Sequence, residues 1–429
     1  MTDITKAVMI VTAFVVMIAT FVDTNIGLIV ILLSMLLSPE LEAGSTPGRA
    51  VVIRAEDLVL IMVSLTWLLK MALRKAPVVR PSPLNAPIGI YIAVLTISTL
   101  RGMVTGNVMP LKGTFYVLKL VEYFILYFIV LNHTTTDRQV KIFLLTLLLT
   151  ATIVGVYGNT HIGRVERISA PFEGRGEPNT LGGYLLFIMS ILGGIVLYRK
   201  QGRLPLLLLF LFLVPTFVFT LSRASYLGMV PALIAFVVLS RDKRVMNIVL
   251  ILFVSFAFLV ALGPPVLKQR VIGAFMPEQS QKLKSVAGVS LGPSPAARVT
   301  SWKVALTEQL PKKPVLGFGM TGAGFLDSQY FLALAETGFV GFMVFLWLMW
   351  RVWKAAFDTY RRVETPLYKG IALGYLSGFV GLLFQAIGTN TFIIIRIAEP
   401  FWFFTAIVVK LVDIETGKAK MEADSLALR

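Results

Sequence analysis

The amino-acid sequence predicts an all-α, polytopic membrane protein with about 12 or 13 transmembrane helices. Hydrophobic residues make up 56% of the 429 residues and charged residues only 15%, with a mean hydropathy of +0.81. A water-soluble domain carries about 25% charged residues. Segments 204–220 and 246–262 are continuously apolar, unlike the alternating strands of an outer-membrane barrel. Because a chain in lipid must satisfy its own backbone hydrogen bonds, these segments are predicted to be helices.

The membrane spans follow from hydrophobic stretches of about 20 residues, several of which are short, so that 12 or 13 spans fit. The start of the chain lacks a basic region and a small-residue cleavage site, which predicts a retained first helix and no signal peptide. Residues 1–37 fit two short spans or one broken element, which leaves the side of the N-terminus open. The stretches lie near 6–22, 25–38, 57–73, 87–100, 115–132, 140–158, 181–198, 204–221, 225–240, 246–262, 329–350, 370–387 and 398–412.

The absence of repeats and linkers predicts a single transmembrane domain over residues 1–412, followed by a polar cytoplasmic tail over 413–429. The formal charge of +17 is explained by topology rather than by nucleic-acid binding, because Lys and Arg collect in cytoplasmic loops. The connectors predicted to face the cytoplasm are 74–80, 199–203, 241–244 and 351–369. Alternation then predicts a periplasmic position for 101–114, 159–180, 221–225, 263–328 and 388–397.

The long outer segment 263–328 is basic, although the positive-inside rule expects few basic residues on that side. Against Glu278, Glu308 and Asp327 it carries Lys268, Arg270, Lys282, Lys284, Arg298, Lys303, Lys312 and Lys313. For the lysines the favoured interpretation is attraction to anionic lipid headgroups. For Arg298 it is binding of a lipid-linked phosphate or pyrophosphate, whose oxygens match the planar Arg fork.

The residues after Arg298 continue this segment towards the next span. Apolar residues recur at helical spacing as far as Pro311, which predicts a short amphipathic helix on the membrane surface. Glycines between 317 and 324 then form a flexible turn that matches no nucleotide-binding fingerprint. Asp327 and Tyr330 lead into the following helix, and Glu336 lies about two turns further along.

Two other predicted outer elements carry arginine. Arg164, Arg167 and Arg175 lie close together in segment 159–180, and Asn179 is a plausible cap for the helix after it. Arg223 interrupts apolar sequence in TLSRASYLG. An arginine at such a place usually faces a polar cavity or partner, and the alternative is snorkelling at a helix end.

The remaining polar residues suggest little further chemistry. Lys119 and Glu122 lie three apart on one helical face and are interpreted as a structural pair. His161 is either a base or a solvated loop residue. No cysteine, HExxH motif, histidine cluster or carboxylate array of metal-ligand spacing occurs in the outer loops, which argues against a metal-dependent hydrolase. No metal or cofactor is therefore expected.

Three of these motifs, in this order within about 12 spans, resemble the O-antigen ligase and polymerase family of integral-membrane glycosyltransferases. They are PFEGRGEPNTLGGYL, then TLSRASYLG, then ARVTSWKVAL followed by PVLGFGMTGAGFLDSQYFLALAETGFVGF. The motifs cover roughly residues 160 to 345, and IRAED at 53–57 is a fainter match.

The resemblance implies a GT-C-type fold in the bacterial inner membrane, with an active face in the periplasm. The implied substrate is an undecaprenyl-pyrophosphate-linked oligosaccharide in membrane lipid, whose glycan is transferred to an acceptor hydroxyl without metal. Other polysaccharide-assembly proteins are possible partners. Cations would stabilise the pyrophosphate leaving group, and a base would accept the hydroxyl proton. The residues expected to bind the substrate are Arg223, Arg298, Arg164, Arg167, Arg175 and Tyr330, and those expected to act in catalysis are Asp327, Glu336 and Arg298.

The resemblance leaves the acceptor open. Family members that transfer glycan to lipid A–core characteristically have a histidine where this chain has Asp327, so the sequence favours a polymerase of O-antigen, capsule or exopolysaccharide over a ligase. For Asp327 the structural alternative is helix N-capping, and for Glu336 it is a buried partner of an arginine. A transporter of the lipid-linked glycan is the competitor from another class, although it would favour midplane charges and repeat-related halves.

Overall fold

The computed structural model of the chain describes residues 3–46, 49–75, 77–173, 176–243, 295–324 and 326–427, with residues 246, 247, 265 and 268. Within them the fold is helical apart from one antiparallel hairpin, formed by β1 (Glu40–Thr46) and β2 (Arg49–Arg54). The all-α prediction is confirmed for the membrane core, and the hairpin is an addition to it. Nearly all of 246–294, Arg175 and the side chain of Arg298 lie outside the described residues.

The helices follow the hydrophobic stretches of the sequence. They are α1 (Asp3–Val22), α2 (Thr24–Leu37), α3 (Ala55–Leu73), α4 (Asn85–Val104), α5 (Pro110–His133), α6 (Asp137–His161), α7 (Pro178–Tyr198), α8 (Arg203–Phe219), α9 (Arg223–Ser240), α10 (Pro295–Val304), α11 (Gln329–Arg362), α12 (Pro366–Gln385) and α13 (Ile395–Ala427). A π-helical turn, Ala305–Gln309, and a last turn, Leu310–Lys312, extend α10. Among the described residues, seven helices are long and apolar enough to cross a membrane.

Twelve of the thirteen predicted stretches coincide with these helices, with ends that agree to within two residues or lie inside the helix. The thirteenth, 246–262, falls almost entirely outside the described residues. The segment 413–429, predicted as a polar tail, is helical as far as Ala427, because α13 continues into it. The hydrophobic pattern therefore located the helices of the membrane core, and its last helix extends beyond that pattern.

Local sequence explains several helix starts. The Asp23 side chain accepts a hydrogen bond from the Asn25 N–H at 2.9 Å and begins α2. Thr136 and Gln139 form a reciprocal capping box at the start of α6. Ser222 accepts from the Ser225 N–H at 3.2 Å and begins α9. These side chains satisfy backbone donors that have no partner within the first turn.

The centre of the bundle is built on α7 and α12. In the most apolar segment of each helix, 83% of the residues of α7 and 78% of those of α12 are buried. Gly194 of α7 lies directly against the backbones of Gly370 and Gly374 of α12, so that a Cβ atom there would overlap them. Small residues allow such close helix approach, which favours packing between helices in lipid. These two helices therefore form the rigid frame against which the outer loops are held.

Adding one methyl group at this contact should destabilise the frame. Gly194→Ala is expected to lower the free energy of unfolding by about 1–3 kcal/mol, because the added Cβ overlaps backbone atoms that cannot move independently. Gly193→Ala is the matched control, since its Cβ would meet only ring atoms of Phe236 and Phe210 at 3.6 and 3.8 Å. Thermal unfolding in detergent measures the difference, and equal midpoints for the two variants would contradict the close contact.

Candidate functional site

The predicted outer connectors meet at one end of the bundle. The Arg396 guanidinium, at the start of α13, donates to the Pro171 carbonyl at 3.2 Å and to the Ser38 carbonyl at 3.1 Å. Ile168 N–H donates to the Phe219 carbonyl at 3.0 Å. The segments after α2, α6 and α8 are thus joined at the same end as the start of α13. For 159–180, 221–225 and 388–397, the alternation of connectors predicted a shared side.

The arginine-rich loop 162–177 is held against the turn between α8 and α9. Arg167 donates from Nε to the Thr220 carbonyl and from Nη2 to the Leu221 carbonyl, both at 3.3 Å. Leu221 has a positive φ of 49°, which makes the sharp break that the sequence placed at 221–225. Arg223 is the first residue of α9 and is partly buried. Two of the predicted substrate-binding arginines, Arg167 and Arg223, are therefore brought to one turn.

Three other arginines belong to the predicted site: Arg164, Arg175 and Arg298. Arg164 lies in the same loop and is exposed, so it is available to an approaching ligand. Arg175 and the Arg298 side chain lie outside the described residues. The backbone of Arg298 belongs to α10, one turn before Trp302. Trp302 stacks on Phe331 of α11 with ring centroids 5.0 Å apart, which fixes α10 beside the start of α11.

A polar network lies directly beneath the α8–α9 turn. Ser222 donates to the Asn179 carboxamide oxygen at 2.8 Å, and Gln385 Nε2 donates to the Asn179 carbonyl and to Ser225 Oγ, both at 3.0 Å. The prediction that Asn179 caps a helix is wrong, since α7 begins at Pro178 after Glu177. Asn179 instead joins α7 to the turn that carries Arg223.

The glycine-rich segment 317–324 is folded around Glu336. The Glu336 side chain is buried, and its Oε1 accepts from the Thr321 N–H at 2.7 Å. Its carbonyl accepts from the Gly319 N–H at 2.8 Å. Gly317 has a positive φ of 61° and packs against the backbone of Glu336, leaving no room for a Cβ. Glu336 thus holds the glycine segment in place.

Asp327 and Tyr330 lie at the start of α11, close to this segment. Asp327 is partly buried and precedes Ser328, the residue at the N-cap position, so the alternative role of Asp327 as the N-cap is wrong. The Tyr330 hydroxyl donates to the Leu383 carbonyl at 2.7 Å, and that contact joins α11 to α12. Of the two, Asp327 is the residue placed in the loop before the helix.

A buried ionic network at this end had no place in the predicted site. Arg396 is fully buried, and its Nη1 lies 3.4 Å from Glu173 Oε1 in the arginine-rich loop. Lys119 contacts Asp57 and lies 2.9 Å from Glu122, which confirms the predicted Lys119–Glu122 pair and adds a second carboxylate.

Two further carboxylates extend this network. Arg54 Nη1 lies 3.7 Å from Glu56, and Glu399 interacts electrostatically with Glu56, Glu122 and Lys119. The oxygens of Glu56 and Glu399 have no hydrogen-bond partner among the described residues. Among the described residues, no group of three or more His, Cys, Asp or Glu side chains is arranged to hold a metal ion. The network ties the outer ends of α3, α5 and α13 to the arginine-rich loop.

The sequence carried a signal for this network. IRAED at 53–57 and RIAE at 396–399 each place charges beside an apolar stretch, and such charges normally have partners. Their pairing could not be read from the chain, because Arg396 and its acceptor Ser38 are 358 residues apart.

The family model of the O-antigen ligases matches residues 206–346, from α8 to the middle of α11. That stretch contains the α8–α9 turn with Arg223, α10 with Arg298, and the Asp327 and Glu336 positions. No curated protein matches the chain. The match supports the predicted family resemblance and includes its second and third motifs, whereas the first motif, PFEGRGEPNTLGGYL, lies before the matched residues.

Proposed function

We propose that the chain is a membrane protein of the O-antigen ligase and polymerase family, as the match over residues 206–346 supports, and that it acts as a surface-polysaccharide polymerase. In the proposed reaction, a hydroxyl of one lipid-linked repeat unit attacks the anomeric carbon of a glycan carried on undecaprenyl pyrophosphate. The new glycosidic C–O bond forms as the bond to the pyrophosphate breaks. The proton goes to a base and the negative charge to the pyrophosphate.

The observation that carries the proposal is the convergence of Arg167 and Arg223 on the α8–α9 turn. A guanidinium presents donors in a planar fork that matches phosphate oxygens. Donors held in place before the reaction stabilise charge that develops as the pyrophosphate leaves. Because Arg167 also donates to two carbonyls of the turn, we assign it to holding the loop as well as to the substrate. Arg223, with Arg298 from α10 and the exposed Arg164, supplies the remaining positive charge, and we place Arg175 with them.

Asp327 is the better candidate for the base. Glu336 Oε1 accepts from the Thr321 N–H of the glycine segment. Asp327 lies in the loop that precedes α11, at the position where ligases of the family have a histidine. A base needs to be within hydrogen-bond reach of the proton that it accepts. We therefore assign the proton-accepting role to Asp327 and a positioning role to Glu336 and Tyr330.

These assignments predict different results for two substitutions at Glu336. Glu336→Gln is expected to keep most of the transfer activity, because the amide oxygen can still accept from Thr321. Glu336→Ala is expected to lower stability by about 1–3 kcal/mol, because it leaves a backbone donor without an acceptor. Product formation and the unfolding midpoint of each variant test this. If Glu336→Gln folds normally but has lost activity, Glu336 acts in catalysis and not only in positioning.

The acceptor is proposed to be a second lipid-linked repeat unit, because Asp327 stands where ligases of the family have a histidine. The active face is proposed to be periplasmic and the host membrane the bacterial inner membrane, with residues 1–412 as one transmembrane domain and 413–429 on the cytoplasmic side. No metal is required in this scheme, since arginines supply the positive charge.

Purified protein in liposomes, given undecaprenyl-pyrophosphate repeat units, tests the proposal. A ladder of products without lipid A–core is the expected result for a polymerase. Products that appear only when lipid A–core is added would identify a ligase instead. In cells, an Arg298→Ala strain should lose polymer while lipid-linked units still reach the periplasm. Units trapped in the cytoplasm would point to a transporter and contradict the enzyme.

A further inference from the structure

A basic cavity lies at the end of the bundle opposite the candidate site. Its volume is about 400 Å³, and α5, α11, α13 and the connector between α3 and α4 enclose it. Two acidic residues, Asp358 and Asp413, line it with five basic ones, Arg80, Arg351, Lys354, Arg362 and Lys410. Arg80, Arg351, Lys354, Asp358 and Arg362 come from connectors that the positive-inside rule predicts to be cytoplasmic. Lys410 lies near the end of the last predicted span, and Asp413 begins the predicted cytoplasmic tail.

The basic side chains of the cavity are only partly neutralised by their partners. Lys410 pairs with Asp413 at 2.6 Å, and Arg351 donates to the Pro83 carbonyl at 3.0 Å. Lys354 lies over the Trp350 ring, 5.6 Å from its centroid. For Arg80 and Arg362, no side-chain hydrogen bond or ion pair occurs with the described residues. Even with both aspartates ionised, basic groups outnumber acidic groups by five to two.

Apart from Thr359, the rest of the wall is apolar. Leu131, Val409, Val412 and Ala355 line the same cavity. Leu131 belongs to the hydrophobic core of the bundle, and Val409 packs against that core. A soluble anion would gain nothing from these side chains. A phospholipid presents a phosphodiester to the guanidinium groups and glycerol and acyl carbons to the apolar wall.

We propose that this cavity binds the headgroup of an anionic phospholipid, with Arg80 and Arg362 contacting the phosphodiester. Basic pockets between transmembrane helices on the cytoplasmic side are suited to such headgroups. The site is separate from the glycan-transfer site, and its occupancy does not depend on the reaction proposed there. Lipid bound between α5, α11 and α13 would hold these helices together at the end away from the substrate.

Lipid binding to the full chain in detergent, followed by native mass spectrometry and by thermal unfolding, tests the proposal. Phosphatidylglycerol is expected to bind and to raise the unfolding temperature, whereas phosphatidylcholine, with the same phosphodiester but no net charge, should bind much more weakly. Inorganic phosphate at the same concentration should change neither measurement. Phosphate that matches phosphatidylglycerol would identify a soluble-anion site and overturn the lipid assignment.

Charge-matched variants separate this cavity from general attraction to the membrane. Arg80→Gln with Arg362→Gln should weaken phosphatidylglycerol binding roughly tenfold or more. Lys200→Gln with Arg203→Gln removes the same charge from another predicted cytoplasmic connector and should bind as the wild type does. Without lipid, the unfolding midpoint of each pair shows that the protein is folded. Equal losses in both pairs, or none in the first, would overturn the proposal.

Discussion

Replacing Arg223 with glutamine is expected to lower polymer formation by about 10²–10³-fold, the loss typical of removing one donor to a developing negative charge. Arg223 begins α9 at the turn where Arg167 also contacts the backbone. Glutamine keeps part of the length and polarity of the side chain but removes the positive charge and the two-donor fork. The loss should appear in the rate at saturating substrate and in product length, measured with purified lipid-linked repeat units.

Two companion variants make the Arg223 result specific. Arg241→Gln removes one arginine from the other end of α9, where Arg241 is exposed at the helix C-cap, and should leave the rate unchanged. Arg223→Lys restores the charge without the fork, so it should recover only part of the rate. If Arg223→Gln unfolds at the wild-type temperature and polymerises at the wild-type rate, Arg223 does not contact the pyrophosphate.

The helices could be predicted because lipid imposes a simple rule on the sequence. A span needs about 20 apolar residues, and a charge within it is costly. The β-hairpin of residues 40–54 escaped this rule, because neither strand forms an apolar stretch of the length of a span. The helical extension of α13 also escaped it, since polar residues at the end of a span are compatible with either helix or coil.

The candidate site was predictable only in its local parts. Arg167 and Arg223 were singled out because each is basic in a segment expected to face outward. The sequence could not show which partner each side chain contacts in the folded protein. It could not show that the Glu336 carboxylate accepts a hydrogen bond from the Thr321 N–H, 15 residues earlier. Tyr330 similarly joins two helices through a carbonyl 53 residues away.

The buried network illustrates the same limit at longer range. Glu399 lies in an apolar stretch, where Arg396, three residues earlier, is the nearest charged residue in the sequence. Its electrostatic neighbours come from α3 and α5, more than 270 residues earlier in the chain. Chain separation of this size removes any sequence pattern that could pair the groups. Only the packing of α13 against α5 brings them together.

Replacing Arg396 with methionine is expected to cost about 3–5 kcal/mol in stability, the penalty for leaving one member of a buried ion pair alone. Arg396 is fully buried, and Glu173 opposite it is 2% exposed. The substitution also removes the donors to the Pro171 and Ser38 carbonyls. Thermal unfolding and the yield of folded protein measure the loss. A variant as stable as the wild type would show that the pair contributes little.

A second substitution, at Glu173, distinguishes two roles of Arg396: neutralising the Glu173 charge and holding the arginine-rich loop in place. Adding Glu173→Gln to Arg396→Met removes the negative charge that faced Arg396, while the amide oxygen can still accept from the Ala170 and Glu177 N–H groups as Glu173 does. Stability is therefore expected to recover largely. Activity is not, because the arginine-rich loop has lost its attachment to α13, and the expected sign is a raised KM for the lipid-linked donor. Full recovery of both stability and KM would mean that Arg396 only neutralises Glu173 and does not position the loop that carries Arg164 and Arg167.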